Sequence, residues 1–331
     1  MAKEPLKLGV TMYSFNKEYY DYTYSMDDIL RIIGSLGEGT GLEIVPPMFD
    51  RSYPYLSLEV EYKLRSAFDK YGIVPAAYGG YSDLSRPAHR FVTDDEAFEF
   101  LKVQLDAAKR LGFPVVRSGY RFSMYERLGA YCEKIGIKLT NEVHCPVNIE
   151  HLGSSIEGCA KFPEHLGLTV DCGTMCREPS DVYYKRFREQ GVDEKYITII
   201  TDWWNTVGKK GKGYGERFDP EITEVIKDAG GDELAQLMGY ESWQYFIGGD
   251  PRKLLDIQEH LFHVHGKFFH IDENLNENAV RYPEIIKALH EVGYKEYVST
   301  EYEGHHWNAD LDVWEQIQRH HEMIRNIEAT L

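Results

Sequence analysis

The sequence predicts a (β/α)₈ barrel, an α/β fold of the TIM-barrel type, and three observations predict it. Short apolar runs alternate with amphipathic stretches along the chain. The amphipathic stretches repeatedly stop at a glycine that is followed closely by the next apolar run. The first apolar run leads into VTMYSFNKE, which has nothing of the glycine-rich phosphate turn that an open doubly wound sheet usually carries there. Repeated strand–helix units imply a parallel sheet, and nearly continuous apolar strands imply that both of its faces are covered. Eight such units in 331 residues fit one closed barrel with some elaboration, spanning residues 1–331 as a single domain.

In chain order, Lys7 to Phe15 (KLGVTMYSF) reads as a short buried strand. Ser25 to Leu36 has helical apolar spacing, and Ser25 followed by Asp27 and Asp28 is a capping signal. LEIVP after Gly41 is the second strand. A helix from Leu58 to Tyr71 stops at Gly72, and IVPAAY follows as the third. Asp94 to Leu111 is amphipathic, closes at Gly112 and yields PVVRSG. Met124 to Ile135 stops at Gly136 before IKLTNEVH, and Ser155 to Phe162 precedes LGLTVDCG. Asp256 to Leu261 reads as the end of a helix leading into FHVHGKFFHID. Pro283 to Val292 stops at Gly293 before YVSTEYEG, and a last helix runs from about Val313 to Ala329.

One connection breaks the rhythm. Nearly ninety residues separate Gly173 from Phe262, where a βα unit needs about forty. This insertion between strands 6 and 7, at about 174–250, holds YITIITDWWNTV, the glycine-rich KKGKGYGERF and a helix around Pro220 to Asp228. Long loops on the catalytic face of a barrel commonly shape the substrate pocket, although an added surface subdomain is the plainer alternative.

Composition narrows the function. Hydrophobic residues make up 43% and charged residues 27%, the profile of a folded globular chain. A formal charge of −17 opposes binding to nucleic acid or to an anionic membrane surface. Five cysteines (132, 145, 159, 172 and 176) without a small-domain framework suggest reduced thiols. No apolar stretch of signal length or membrane-span length stands out, so a cytoplasmic location is expected.

Barrel enzymes work at the carboxyl ends of their strands. There the fifth strand carries Glu142 and His144, the sixth Asp171, the seventh His263, His265 and Lys267, and the eighth Glu301 and Glu303. Carboxylates facing one another in a poorly hydrated barrel mouth repel unless a cation lies between them. Glu142, Asp171, His265 and Glu301, one from each strand, form the best four-ligand set. Its oxygen-rich mix leans toward Mn²⁺, with Mg²⁺ or Co²⁺ as alternatives. Strand parity puts His144 on the face of Glu142, and Lys267 on that of His265. The bland readings are a helix cap or ion pair for a lone carboxylate, and a satisfied core residue for a lone histidine. Glu43 and Arg117 are placed for a buried ion pair across the barrel, or Arg117 for substrate. Tyr13, Tyr78, Trp203, Trp204, Trp243 and Trp307 are enough aromatics to line a sugar or polyphenol pocket, though aromatic clusters are more often plain core.

The run NEVH, TVDCG, HVHGKFF and STEYEG resembles the xylose-isomerase-like barrel superfamily of sugar phosphate isomerases and epimerases. That resemblance implies a metal held by Glu142, Asp171, His265 and Glu301. It covers nearly the whole chain, except that the insertion is poorly matched. Within the superfamily, LGVTMYSFNKEYY, GLEIVPP, RLGFPVVRSGY and STEYEGHHW look most like the larger, catalytic subunit of bacterial C-glycoside deglycosidases. This implies a Mn²⁺-dependent lyase that cleaves the carbon–carbon bond of 3-oxo-C-glucosides of flavonoid-type aglycones through an enediolate. It also implies a smaller β-rich partner subunit in a hetero-oligomer. His144 is then placed as the base, with Glu142, Glu301 and Lys267 as further catalytic candidates. The alternative it leaves open is a metal-dependent ketose or inosose isomerase, epimerase or dehydratase, in which Glu142 and Glu301 are the acid/base pair.

Overall fold

A computed structural model describes residues 4–82, 87, 89–213 and 221–331. Its core is a closed barrel of parallel strands in the order β1 to β8, with β1 pairing β8. The strands are β1 (Lys7–Thr11), β2 (Gly41–Ile44), β3 (Val74–Gly79), β4 (Val115–Arg117), β5 (Lys138–Val143), β6 (Leu166–Asp171), β7 (Leu261–Phe268) and β8 (Tyr297–Tyr302).

The helices between them form where the sequence signals them. Ser25 caps Met26–Gly34 through a reciprocal pair: its Oγ accepts the Asp28 N–H at 3.2 Å, and the Asp28 carboxylate accepts the Ser25 N–H at 3.1 Å. Leu58–Tyr71 and Asp94–Leu111 end at Gly72 (φ 66°) and Gly112 (φ 84°). Both glycines adopt the left-handed conformation that ends a helix at little steric cost.

Two expectations are corrected. The first strand ends at Thr11, and Met12–Phe15 forms a 3₁₀ turn because the Thr11 side chain accepts the Tyr13 N–H. Ser14 then locks this turn to the end of β8, donating to the Thr300 carbonyl at 3.1 Å and accepting the Tyr302 N–H at 3.0 Å. The helix expected to end over Asp256–Leu261 is instead two 3₁₀ turns, Pro251–Leu255 and Gln258–His260. Asp250 caps the first, and bonds three residues apart replace the α-helical ladder.

Register sets the depth of the polar side chains. Asp171 lies beside His265, and Lys267 beside Glu301. Every residue of β7 is buried. Phe268 points outward and stacks on His320 of the final helix, Val313–Glu328, with ring centroids 4.5 Å apart. The opposite parity therefore aims His263, His265 and Lys267 into the barrel.

Between β6 and β7 lie the helices Asp181–Glu189, Glu194–Thr206, Glu221–Asp228 and Glu233–Tyr245. Residues 214–218 of the glycine-rich stretch, and Pro220, lie outside the described residues. The insertion touches the catalytic end of the barrel on two sides. Asn148, after β5, donates its backbone N–H to the Lys212 carbonyl at 2.9 Å, and Trp307, after β8, donates its indole N–H to Glu241 at 2.8 Å. Among the described residues, no helix is long and apolar enough to cross a membrane.

Candidate active site

The ends of β5 to β8 converge on one buried cluster. Nδ1 of His265 lies 2.9 Å from Glu142 Oε1 and 3.3 Å from Glu301 Oε2. His265 is fully buried and Glu301 nearly so. His265 Nδ1 and Glu301 Oε2 are both buried without a hydrogen-bond partner. One imidazole nitrogen and two carboxylate oxygens, from Glu142 and Glu301, converge there and form a cradle for a cation. Burial opposes a charged His265, yet Glu301, Glu43 and Glu142 together hold its pKa well above the usual imidazole value.

The other ring nitrogen is fixed from below. Glu43 Oε2, on β2, lies 2.7 Å from His265 Nε2 and 3.1 Å from His263 Nε2. A hydrogen on His265 Nε2 donated to Glu43 leaves Nδ1 to face Glu142 and Glu301. Glu43 and His263 also form a buried group with His265, but Glu43 is occupied by these rings and by Arg117. Arg117 crosses the barrel, donating from Nε to Glu43 (3.0 Å) and from Nη1 to Glu142 (2.9 Å). The ion pair read from the sequence therefore forms, and it extends to Glu142.

Lys267 organises a second group. Its Nζ lies 2.6 Å from Asp171 Oδ2, 2.8 Å from His144 Nε2, 3.3 Å from Glu303 Oε2 and 3.7 Å from Glu301 Oε2. Burial works against its charge, but Asp171, Glu303 and Glu301 raise its pKa well above the ordinary lysine value. Gly173 makes room for it, since a Cβ there would stand 2.7 Å from Lys267 Cδ. His144 Nδ1 faces the Cys145 carbonyl at 2.6 Å. A carbonyl only accepts, so that nitrogen carries the proton and the Nε2 lone pair receives Lys267.

Of the four ligand candidates, Glu142, His265 and Glu301 thus meet, while Asp171 stands aside. Its Oδ2 faces Lys267, and its Oδ1 accepts the Gly173 N–H at 2.7 Å. His144 and Lys267 touch each other at the rim of the cluster. Sequence reasoning missed the bonds from Glu43 to both histidines and the closeness of Glu303 to Lys267. The available signal for Glu43 was a lone charge within the apolar strand LEIVP. Cys145 and Cys172 are buried beside the cluster, and burial pushes both thiols up, away from nucleophilic thiolate.

Most of the candidate aromatics are core. Tyr78, Trp204, Trp243 and Trp307 are buried, and Trp204 donates its indole N–H to the Phe246 carbonyl. Half-buried Trp203 packs against Gly208. Tyr13 alone of the six lines the opening beside the mouth, with Tyr20, Met48 and Tyr81.

The profile of the xylose isomerase-like TIM barrels matches residues 30–327. The chain belongs to that family. Within these barrels it is 30% identical, over 97% of its own length and 95% of the relative's, to the 3'-dehydrocarminate deglycosidase alpha subunit of a Microbacterium species. It is also 30% identical to a C-glycoside deglycosidase alpha subunit of Arthrobacter globiformis, covering 98% of this chain and 93% of that one. The fold of this xylose isomerase-like barrel is shared with a sugar phosphate isomerase/epimerase from Parabacteroides distasonis (TM-score 0.56, 15% identity, 99% and 95% of the two chains covered).

Proposed function

We propose that the protein is the catalytic subunit of a metal-dependent carbon–carbon lyase acting on 3-oxo-C-glucosides. The observation that carries this reading is the 30% identity, over nearly the full length of both chains, to proteins named as deglycosidase alpha subunits. The site supports it with a buried carboxylate–imidazole cradle and a histidine lone pair beside it.

Glu142, His265 and Glu301 would hold a divalent ion, with Mn²⁺ best suited to the donor set. Asp171 would join them by turning from Lys267. The ion would supply stabilisation of negative charge on the substrate oxygens. Once substrate parts it from Lys267, His144 Nε2 takes the proton from C2 of the sugar, which the neighbouring 3-oxo group acidifies. The electron pair left at C2 forms the C1–C2 double bond as the C1–aglycone bond breaks. The aglycone carbon recovers a proton, so the sugar loses one hydrogen and the aglycone gains one. Lys267, held by three carboxylates, keeps a positive charge beside this proton traffic. Relatives named alpha subunits support a partner subunit in a hetero-oligomer, which this reading takes to be a smaller, β-rich chain.

A second reading, a ketose or inosose isomerase, epimerase or dehydratase, is favoured by Glu142 and Glu301 facing each other across His265 Nδ1. The deciding experiment purifies the chain with and without the product of its neighbouring gene. With Mn²⁺ present, a 3-oxo-C-glucoside is assayed beside free ketoses. Free aglycone is the expected product, whereas epimerised ketose without aglycone would transfer the assignment to the second reading.

A further inference from the structure

The exposed hydrophobic side chains are not spread evenly over the molecule. Of the twelve large ones exposed among the described residues, seven stand on the segments that follow β1, β2 and β3. These are Tyr20 and Tyr22, then Tyr55, Leu58 and Tyr62, then Tyr81 and Phe91, from 44% to 94% exposed. The loops after β5, β7 and β8 carry none. The insertion touches the loops after β5 and β8. One half of the catalytic end is thus covered by the chain itself, and the other half is bare.

Contacts join the bare segments. Tyr20 and Tyr22 share a cleft of about 690 Å³ with the first turns of Leu58–Tyr71. Tyr53, after β2, accepts the Tyr81 N–H at 2.9 Å and so ties the loop after β3 to the loop before that helix. The cleft is electrically balanced, with Asp50 and Glu59 against Arg51 and Lys63, and Lys63 is already held by Asp27 and Glu59. In a chain of formal charge −17, a balanced surface rich in tyrosine has the make-up of an interface. Its size agrees. At about 200 Å² for a fully exposed large side chain, the seven offer on the order of 1,000 Å². One partner contributes about 800 Å² to a standard interface.

We propose that this surface seats a second, non-identical subunit, a folded protein that presents an apolar and weakly charged face. The alpha-subunit names of the relatives point to such a chain. A second copy fits less well, because two chains of charge −17 repel each other. The inference rests on the hetero-oligomer reading above and adds where the partner sits. The side chain of His144 is 39% exposed in this chain, so the insertion alone does not close the barrel mouth. A partner on the bare half would extend the cover that the insertion begins.

The test mixes the full chain with the product of the adjacent gene and measures association by sedimentation velocity. Two double variants are compared, each confined to exposed side chains. Tyr22→Ser with Tyr62→Ser should weaken the complex about tenfold per side chain, near a hundredfold together. Val225→Ser with Leu237→Ser, on the outer helices of the insertion, should stay within about twofold. Hydrogen exchange should slow over residues 20–62 only when the adjacent product is present. Wild-type affinity in the tyrosine variant, or equal weakening in both variants, would overturn the surface. So would the absence of any complex, or protection of residues 20–62 in the chain alone, which would mark contact between two copies. Turnover separates this inference from the lyase reading. Aglycone released by the chain with no complex formed would sink the surface and keep the lyase. A complex lost in the tyrosine variant, with epimerised ketose and no aglycone, would keep the surface and sink the lyase.

Discussion

The two sides of the barrel mouth differ in kind. On the side of β5 to β8, charged groups are buried at close quarters, and the insertion reaches the loops after β5 and β8. On the side of β1 and β2, the loops leave an open cleft walled by tyrosines, with Asp50, Arg51, Glu59 and Lys63 also at its lining. Glu43 and Arg117 link the sides by passing across the barrel to His265 and Glu142, and Ser14 joins the turn after β1 to the end of β8. The difference teaches that proton and charge chemistry needs dry, fixed groups, which the closed side supplies and the open side does not.

The sharpest break comes from the buried side. Glu142→Gln or Glu301→Gln should cut turnover on the true substrate by at least about 10²–10³-fold with an unchanged circular dichroism spectrum. Bound Mn²⁺, measured by mass spectrometry, should fall in parallel; wild-type turnover in either variant would refute the ligand assignment. Asp171→Asn is a different test, since it also strips Lys267 of its nearest partner.

Lys267→Met leaves Asp171, Glu301 and Glu303 facing one another with no cation between them. A loss of about 3–5 kcal/mol is expected in urea titrations of the metal-free protein. A loss under about 1 kcal/mol would mean that these carboxylates do not share the lysine charge.

The bridge between the sides gives a smaller effect. Glu43→Gln should weaken Mn²⁺ binding about 10–100-fold in equilibrium dialysis, because His265 loses the acceptor that orients it. Unchanged affinity would show that His265 is held by packing alone.

The smallest effect lies beyond β7. Burial pushes the Glu277 carboxyl from an ordinary 4.5 up to about 8, so the folded protein keeps a proton that the unfolded chain has released. Its contribution to stability is therefore present below about pH 4.5 and lost as pH rises through about 8. Glu277→Gln should flatten the fall in thermal midpoint between pH 5 and 8. An unchanged slope would place the titration elsewhere.

Much of this was legible from local chemistry. The helices Leu58–Tyr71 and Asp94–Leu111 were bounded in the sequence by their closing glycines, to which the structure adds the Ser57 and Thr93 caps. Strand parity brought Glu142, His265 and Glu301 to one place. What parity could not show was where each side chain ends. Asp171 has the right strand and depth, yet a lysine two residues beyond its neighbour claims its carboxylate. Trp204 and Trp307 looked like pocket aromatics, but packing with Phe246 took them into the core.

The sequence by itself determined the barrel and the end of it that carries the charges, because periodicity, glycine stops and alternation act between near neighbours. Only the tertiary structure decided that Glu43 orients His265 from 222 positions away, that Lys267 rather than a ligand partner faces Asp171, and that the open cleft lies between the first two loops. Those outcomes depend on distances across a closed barrel, which no local pattern encodes.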